Sequence, residues 1–182
     1  GCSPLCITIT NTSTPFDSLT YLWVFSDSLF PDTTSAPSFP HCYVNTTSIP
    51  NFYTITLIVT NSNGCRDTLI DTITVYPEIT AQFGIVPDTG CSPLDVQFFN
   101  NTTPSGIATY EWTFGDVPGI DTNTNPTHQY LNPSLFDTTY YPCLLATTAF
   151  GCKDSICHSV TIFSQPCANF TMADTIGCSP LT

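Results

Sequence analysis

Ten cysteines, three histidines and fourteen acidic side chains are the groups in this 182-residue sequence whose chemistry could define a function. Cysteines in such number serve as metal ligands, reactive thiols or disulfides. No Cys-x-x-Cys pair occurs, and the nearest spacings, Cys2 to Cys6 and Cys152 to Cys157, lack a matching second half, so a zinc site fits poorly. A reactive thiolate needs a cationic pocket, and Arg66 and Lys153 are the only basic side chains. Disulfides remain. They persist in oxidising surroundings, so the cysteine content, the Thr/Asn/Pro-rich composition and the single Met read as an exported, extracellular chain.

Asp27 and Asp116 recur at one sequence context, each following Gly or Ser at the end of a strand-like run. An aspartate there satisfies turn amides through its own side chain, with calcium binding as the rival reading. His41 and His128 also share one context, each two residues before a Tyr, and read as packed structural histidines. Asp154 and His158 have no nucleophile motif beside them, and neither Gly-x-Ser-x-Gly nor His-Glu-x-x-His occurs, so no enzyme activity and no cofactor is expected. A net charge of −12 repels phosphate backbones and excludes nucleic acid as a partner. No apolar run reaches the ~18 to 20 residues of a membrane-spanning helix.

These groups are positioned by a repeat. Gly1-Cys2-Ser3-Pro4-Leu5 returns as Gly90-Cys91-Ser92-Pro93-Leu94 and Gly177-Cys178-Ser179-Pro180-Leu181, a period of about 90 residues that suits one small domain per copy rather than a solenoid turn. Tyr21-Leu22-Trp23-Val24-Phe25-Ser26-Asp27 matches Tyr110-Glu111-Trp112-Thr113-Phe114-Gly115-Asp116, and Gly64-Cys65-Arg66-Asp67 matches Gly151-Cys152-Lys153-Asp154. Period-two alternation runs through Ile7 and Ile9, Val96 and Phe98, Leu57 and Val59, and Ile73 and Val75, broken by Asn/Asp/Gly/Pro clusters. This pattern predicts half-buried β-strands and an all-β, two-sheet antiparallel sandwich in each copy.

Ala81-Gln82-Phe83 and Ala168-Asn169-Phe170 mark the opening strand of successive copies. The expected organisation is a first repeat over 1–78 that lacks its own first strand, a complete repeat over 79–165, and the start of a third over 166–182, in what reads as an excerpt of a longer polypeptide. The short linkers Pro77-Glu78 and Gln165-Pro166 are expected to be stiff, and the missing strand to leave an open edge that invites strand donation from a neighbour.

The Tyr-x-Trp-x-Phe-Gly-Asp run at Tyr110 to Asp116, followed by Asn125-Pro126-Thr127-His128-Gln129-Tyr130, resembles the signature of the PKD family of immunoglobulin-like β-sandwiches. With the added Gly-Cys-Ser-Pro-Leu and Asn-Gly-Cys pieces, the chain is similar to PKD-like repeats found in tandem in very large Bacteroidetes surface proteins. These include gliding-motility adhesins and other cargo of type IX secretion. The resemblance implies tandem immunoglobulin-like sandwiches, a bacterial cell-surface location, and a structural shaft of a large adhesin or filament. Its partners would be neighbouring repeats or copies, and glycans. The alternative it implies is a spacer or polysaccharide-binding module of a secreted hydrolase, holding sugar on exposed aromatics such as Tyr53.

Sequence alone does not fix disulfide connectivity. Repeat position in such a sandwich proposes Cys2–Cys65 and Cys91–Cys152, each a strand head joined to a hairpin turn at one end. Strand parity proposes Cys6–Cys42 and Cys143–Cys157 as staples on the outer face, leaving Cys167 and Cys178 without named partners. Eight Asp-Ser/Thr pairs followed by an aliphatic residue or Thr resemble the O-glycosylation acceptor of Bacteroidetes, at Ser18, Ser28, Thr33, Thr68, Thr72, Thr138, Ser155 and Thr175. Sugars there would supply the solvation that a chain with only 9% charged residues otherwise lacks.

Overall fold

Runs of Thr, Val, Ile, Tyr and Phe in period-two alternation form strands throughout the computed structural model, which describes residues 1–14, 19–27, 36–166 and 168–171. The first copy contributes β1 (Leu5–Thr10), β2 (Leu19–Phe25), β3 (Ser38–Tyr43), β4 (Asn51–Asn61) and β5 (Arg66–Val75). Antiparallel β1-β3 forms one sheet and β2-β4-β5 the other. Between them lie Trp23, Phe25, Tyr43, Leu57 and Val75, flanked by half-buried Ile7 and Ile9.

The second copy contributes β6 (Phe83–Val86), β7 (Thr89–Cys91), β8 (Leu94–Asn100), β9 (Ala108–Thr113), β10 (Thr127–Tyr130), β11 (Thr138–Tyr140), β12 (Cys143–Thr148), β13 (Lys153–Cys157) and β14 (Val160–Phe163). Sheet β10-β8-β6 packs on β13-β12-β9 and β11-β14-β7. Among the described residues there is no helix, and both copies are immunoglobulin-like β-sandwiches. The strand β4 of the first copy is divided into β11 and β12 in the second because Pro142 stands where Ile55 continues the ladder. Proline has no N–H to donate, so only its carbonyl is used, by the His158 N–H at 3.0 Å.

The two cores differ for one reason. In the second copy β6 pairs with β8 and lays Phe83 over Val96, Phe98 and Trp112, all at or below 3% exposure. No strand lies along the corresponding edge of β1 among the described residues, and Ile7 and Ile9, the counterparts of Val96 and Phe98, stay half-exposed.

Each copy also carries a buried asparagine that ties the loop after its β3-type strand. Asn132 donates to the carbonyls of Ile162 and Phe136 at 2.9 Å, while its Oδ1 accepts from the Ser134 N–H and hydroxyl. Asn45 does the same with Val75, Ile49 and Thr47. Asn132→Ala would strip the buried Ile162 carbonyl of this donor and untie the loop. A loss of about 2–4 kcal/mol is expected, read as a lower urea midpoint at unchanged slope.

Candidate functional site

The residues brought together from the largest sequence distance lie where the two sandwiches meet. Cys2 is fixed beside Tyr76 by a parallel bridge, in which the Ser3 N–H donates to the Tyr76 carbonyl and the Tyr76 N–H to the Gly1 carbonyl. Cys152 sits in the turn between β12 and β13, held by its N–H on the Thr148 hydroxyl and by Gly151, whose φ of 81° suits a residue without Cβ. The two cysteines are bonded, with Cα atoms 5.6 Å apart, across the junction and over a separation of 150 residues.

This overturns Cys2–Cys65 and Cys91–Cys152. Cys65 precedes β5 and Cys2 lies beside the residue that follows it, and ten residues at ~3.4 Å each hold them ~30 Å apart, far beyond the ~7 Å a disulfide tolerates. Cys91 and Cys152 are likewise at opposite ends of the second sandwich, because Cys91 pairs with Phe163 at the end of β14. Cys65 and Cys91 are free and exposed. Cys6–Cys42 and Cys143–Cys157 are bonded between directly opposed strand positions. Cys167 and Cys178 lie outside the described residues.

Around the crossing bond the linker is packed. Ile79 and Ala81 are buried against Ala146 and Cys152. The Tyr76 ring stacks on Phe150 at 4.6 Å, and the Ala81 N–H donates to the Asp154 carboxylate at 2.7 Å. Thr80 and Thr103 exchange two backbone bonds. The sequence signal for this contact is Phe150, which stands where the otherwise matching turn of the first copy has Asn63.

The repeated aspartate and histidine contexts resolve into a second shared arrangement. The His128 Nε2–H meets the Asp116 carboxylate at 2.8 Å while its ring stacks 4.1 Å above Phe114 and edges Tyr130, whose hydroxyl donates to the Phe114 carbonyl. His41, Asp27, Phe25 and Tyr43 repeat the stack, with His41 at 3.1 Å from Asp27. The carboxylates considered for turn capping or calcium therefore face histidines. Asp116 does both, also accepting from the Val117 N–H.

Burial, and then the Asp27 charge, push the Tyr43 phenol up to about 12; the same causes, with Asp116 for Asp27, raise Tyr130 further. An unfolded tyrosine ionises near 10, so the stability due to these neutral phenols is intact below pH 10 and is lost as pH rises from 10 through 12. Urea midpoints taken between pH 8 and 12 are expected to fall in that window, and to fall less in Tyr43→Phe and Tyr130→Phe.

Of the glycosylation candidates, Thr68, Thr72 and Ser155 are exposed, whereas Thr138 is half-buried with its hydroxyl on Asn132 at 3.2 Å. Ser18, Ser28, Thr33 and Thr175 lie outside the described residues. Tyr53, taken as exposed, is half-buried against Tyr43 and donates to the Val44 carbonyl.

No family model matches the chain. No curated protein sequence matches it either. Among solved structures, it is similar to one described as carbohydrate-binding modules of the β-sandwich superfamily, at 28% identity and a TM-score of 0.41, over 48% of this chain and 36% of that one. It is also similar to the PKD1 domain of Vibrio anguillarum Epp, at 18% identity and 0.38, over 48% of this chain and 95% of that one. Fibronectin(III)-like modules of Clostridium thermocellum CbhA align over 90% of this chain and 87% of theirs, at 14% identity and 0.39. The three disulfides among the described residues are those of a secreted or extracellular protein.

Proposed function

We propose that this chain is a non-catalytic structural segment, the shaft of a large extracellular adhesin or filament on a bacterial surface, in which each sandwich spans distance and holds its neighbour in fixed orientation. The observation that supports the reading is the Cys2–Cys152 bond, with the Tyr76 ring stacked on Phe150 beside it: a covalent link and a packed contact across a domain junction fix relative orientation, which a bead on a flexible tether does not need. Thr68, Thr72 and Ser155 are the described hydroxyls placed to carry O-linked sugar, and intact mass with and without reductant would report sugar and disulfides together.

The second reading, a polysaccharide-binding module, draws on exposed aromatics such as Phe52 at 73% and Tyr141 at 63%. Small-angle scattering and polysaccharide pull-down on the same sample separate the two. A single rigid end-to-end dimension without retention on glucans, xylans or chitin is expected. Saturable retention that disappears in Phe52→Ala or Tyr141→Ala would replace the shaft with the binding module.

A further inference from the structure

The formed junction has an unformed counterpart on each of the two sandwiches. At the junction, Cys152, Ala146 and Ile156 of the second sandwich are covered by Cys2 and Tyr76 of the first and by Ile79 and Ala81 of the segment that leads into β6. By repeat position the first sandwich carries the same accepting face as Cys65, Val59 and Leu69. There Cys65 is a free exposed thiol and Leu69 is 67% exposed, with no covering segment among the described residues. The same covering positions recur as Cys91 and Phe163 of the second sandwich and as Pro166 and Ala168 of the segment that follows it, all exposed, with Phe163 beside Cys91 as Tyr76 is beside Cys2.

A third element points the same way. Phe83, which follows the covering face at the formed junction, is 3% exposed in the core next to β8; its counterpart Phe170 is 81% exposed, and β1, the counterpart of β8, has an open edge over a half-exposed core.

We infer that the sandwiches assemble head to tail through one repeated covalent junction. Cys91 of one unit bonds Cys65 of another, Phe163 and Ala168 cover the Leu69 face, and the segment from Ala168 to Thr171 lies along β1 with Phe170 entering the first core. For the isolated chain the occupant of each free end is a second copy of itself. The inference rests on reading the chain as a tandem structural segment.

The bond forms by thiol–disulfide exchange with a small-molecule disulfide such as oxidised glutathione. The Cys65 thiolate attacks one sulfur and expels one glutathione thiolate, and the Cys91 thiolate then attacks the Cys65 sulfur of the mixed disulfide and expels the other. Two glutathione thiols take up the two protons and two electrons, so one S–S bond replaces another.

The test uses the full chain carrying Cys167→Ser and Cys178→Ser, incubated at high concentration in oxidised and reduced glutathione. Non-reducing electrophoresis is expected to show a ladder of whole multiples of the chain, and peptide mapping to show Cys65 joined to Cys91. Adding Cys65→Ser or Cys91→Ser should each leave monomer, and mixing those two variants should give a dimer and nothing larger. Leu69→Asp and Phe170→Asp should slow the ladder at least tenfold.

Absence of a ladder, or Cys65–Cys65 and Cys91–Cys91 links in comparable yield, would overturn the proposal. So would a ladder that grows equally fast in Leu69→Asp and Phe170→Asp, which would mark random collision of exposed thiols. A rigid chain without the ladder loses only this junction, whereas a ladder-forming chain that binds polysaccharide loses only the shaft reading.

Discussion

Trp112→Ala is expected to bring the second sandwich to the edge of unfolding while leaving the first intact. The indole is fully buried, edge-on to Phe83 at 5.0 Å and tilted against Phe98 at 5.6 Å, and its Nε1–H donates to the Asn123 carbonyl at 2.9 Å. Large-to-small truncation of a buried aromatic costs about 3–5 kcal/mol, partly as a cavity that β-sheets on both sides cannot close. A domain of about 90 residues has roughly 5–13 kcal/mol to lose.

Since the chain has two tryptophans, fluorescence of the variant reports Trp23 and hence the first sandwich alone. Circular dichroism should then show an early transition that the remaining indole does not follow. Coincident transitions by both probes would mean that the two cores unfold as one unit. Trp112→Phe keeps most of the ring packing and loses the Asn123 bond, so its penalty should be well under half as large.

The largest covalent effect is expected from Cys2→Ser combined with Cys152→Ser. In the chain-entropy description the denatured-state constraint grows with the logarithm of loop length, giving about 5 kcal/mol for a separation of 150, about 4 for the 36 of Cys6–Cys42 and about 3 for the 14 of Cys143–Cys157. Replacing each pair by serines should therefore rank the three in that order by calorimetry. The junction variant alone should also broaden the distribution of interdomain distances in scattering. If it ranks last, the stack of Tyr76 on Phe150 holds the junction and the bond merely decorates it.

Strand positions were legible because alternation reports burial residue by residue. Ile7, Val96, Trp23 and Trp112 all face inward as their period requires. Parity also gave Cys6 and Cys42, and Cys143 and Cys157, as outward neighbours, and register placed each pair directly opposite. What parity does not contain is which end of a strand a residue occupies. In a tandem array, a link from Cys2 to its own turn and a link from Cys2 to the next copy's turn use identical repeat positions, so equivalence could not separate Cys2–Cys65 from Cys2–Cys152. The length of β5 separates them.

The histidine–carboxylate pairs were missed for a related reason. His41 and Asp27, and His128 and Asp116, are 14 and 12 residues apart, and no strand period spans such a separation to indicate which side chains meet.

The crossing bond also determines how a load would travel. Tension entering at Gly1 and leaving beyond Cys152 passes from sulfur to sulfur and never enters the backbone between them. The 150-residue separation, about 500 Å of extended chain at ~3.4 Å per residue, is thereby withheld from stretching, so the first hydrophobic core hangs beside the force path, while β14, which brings Val160 and Ile162 to the second, stays in it.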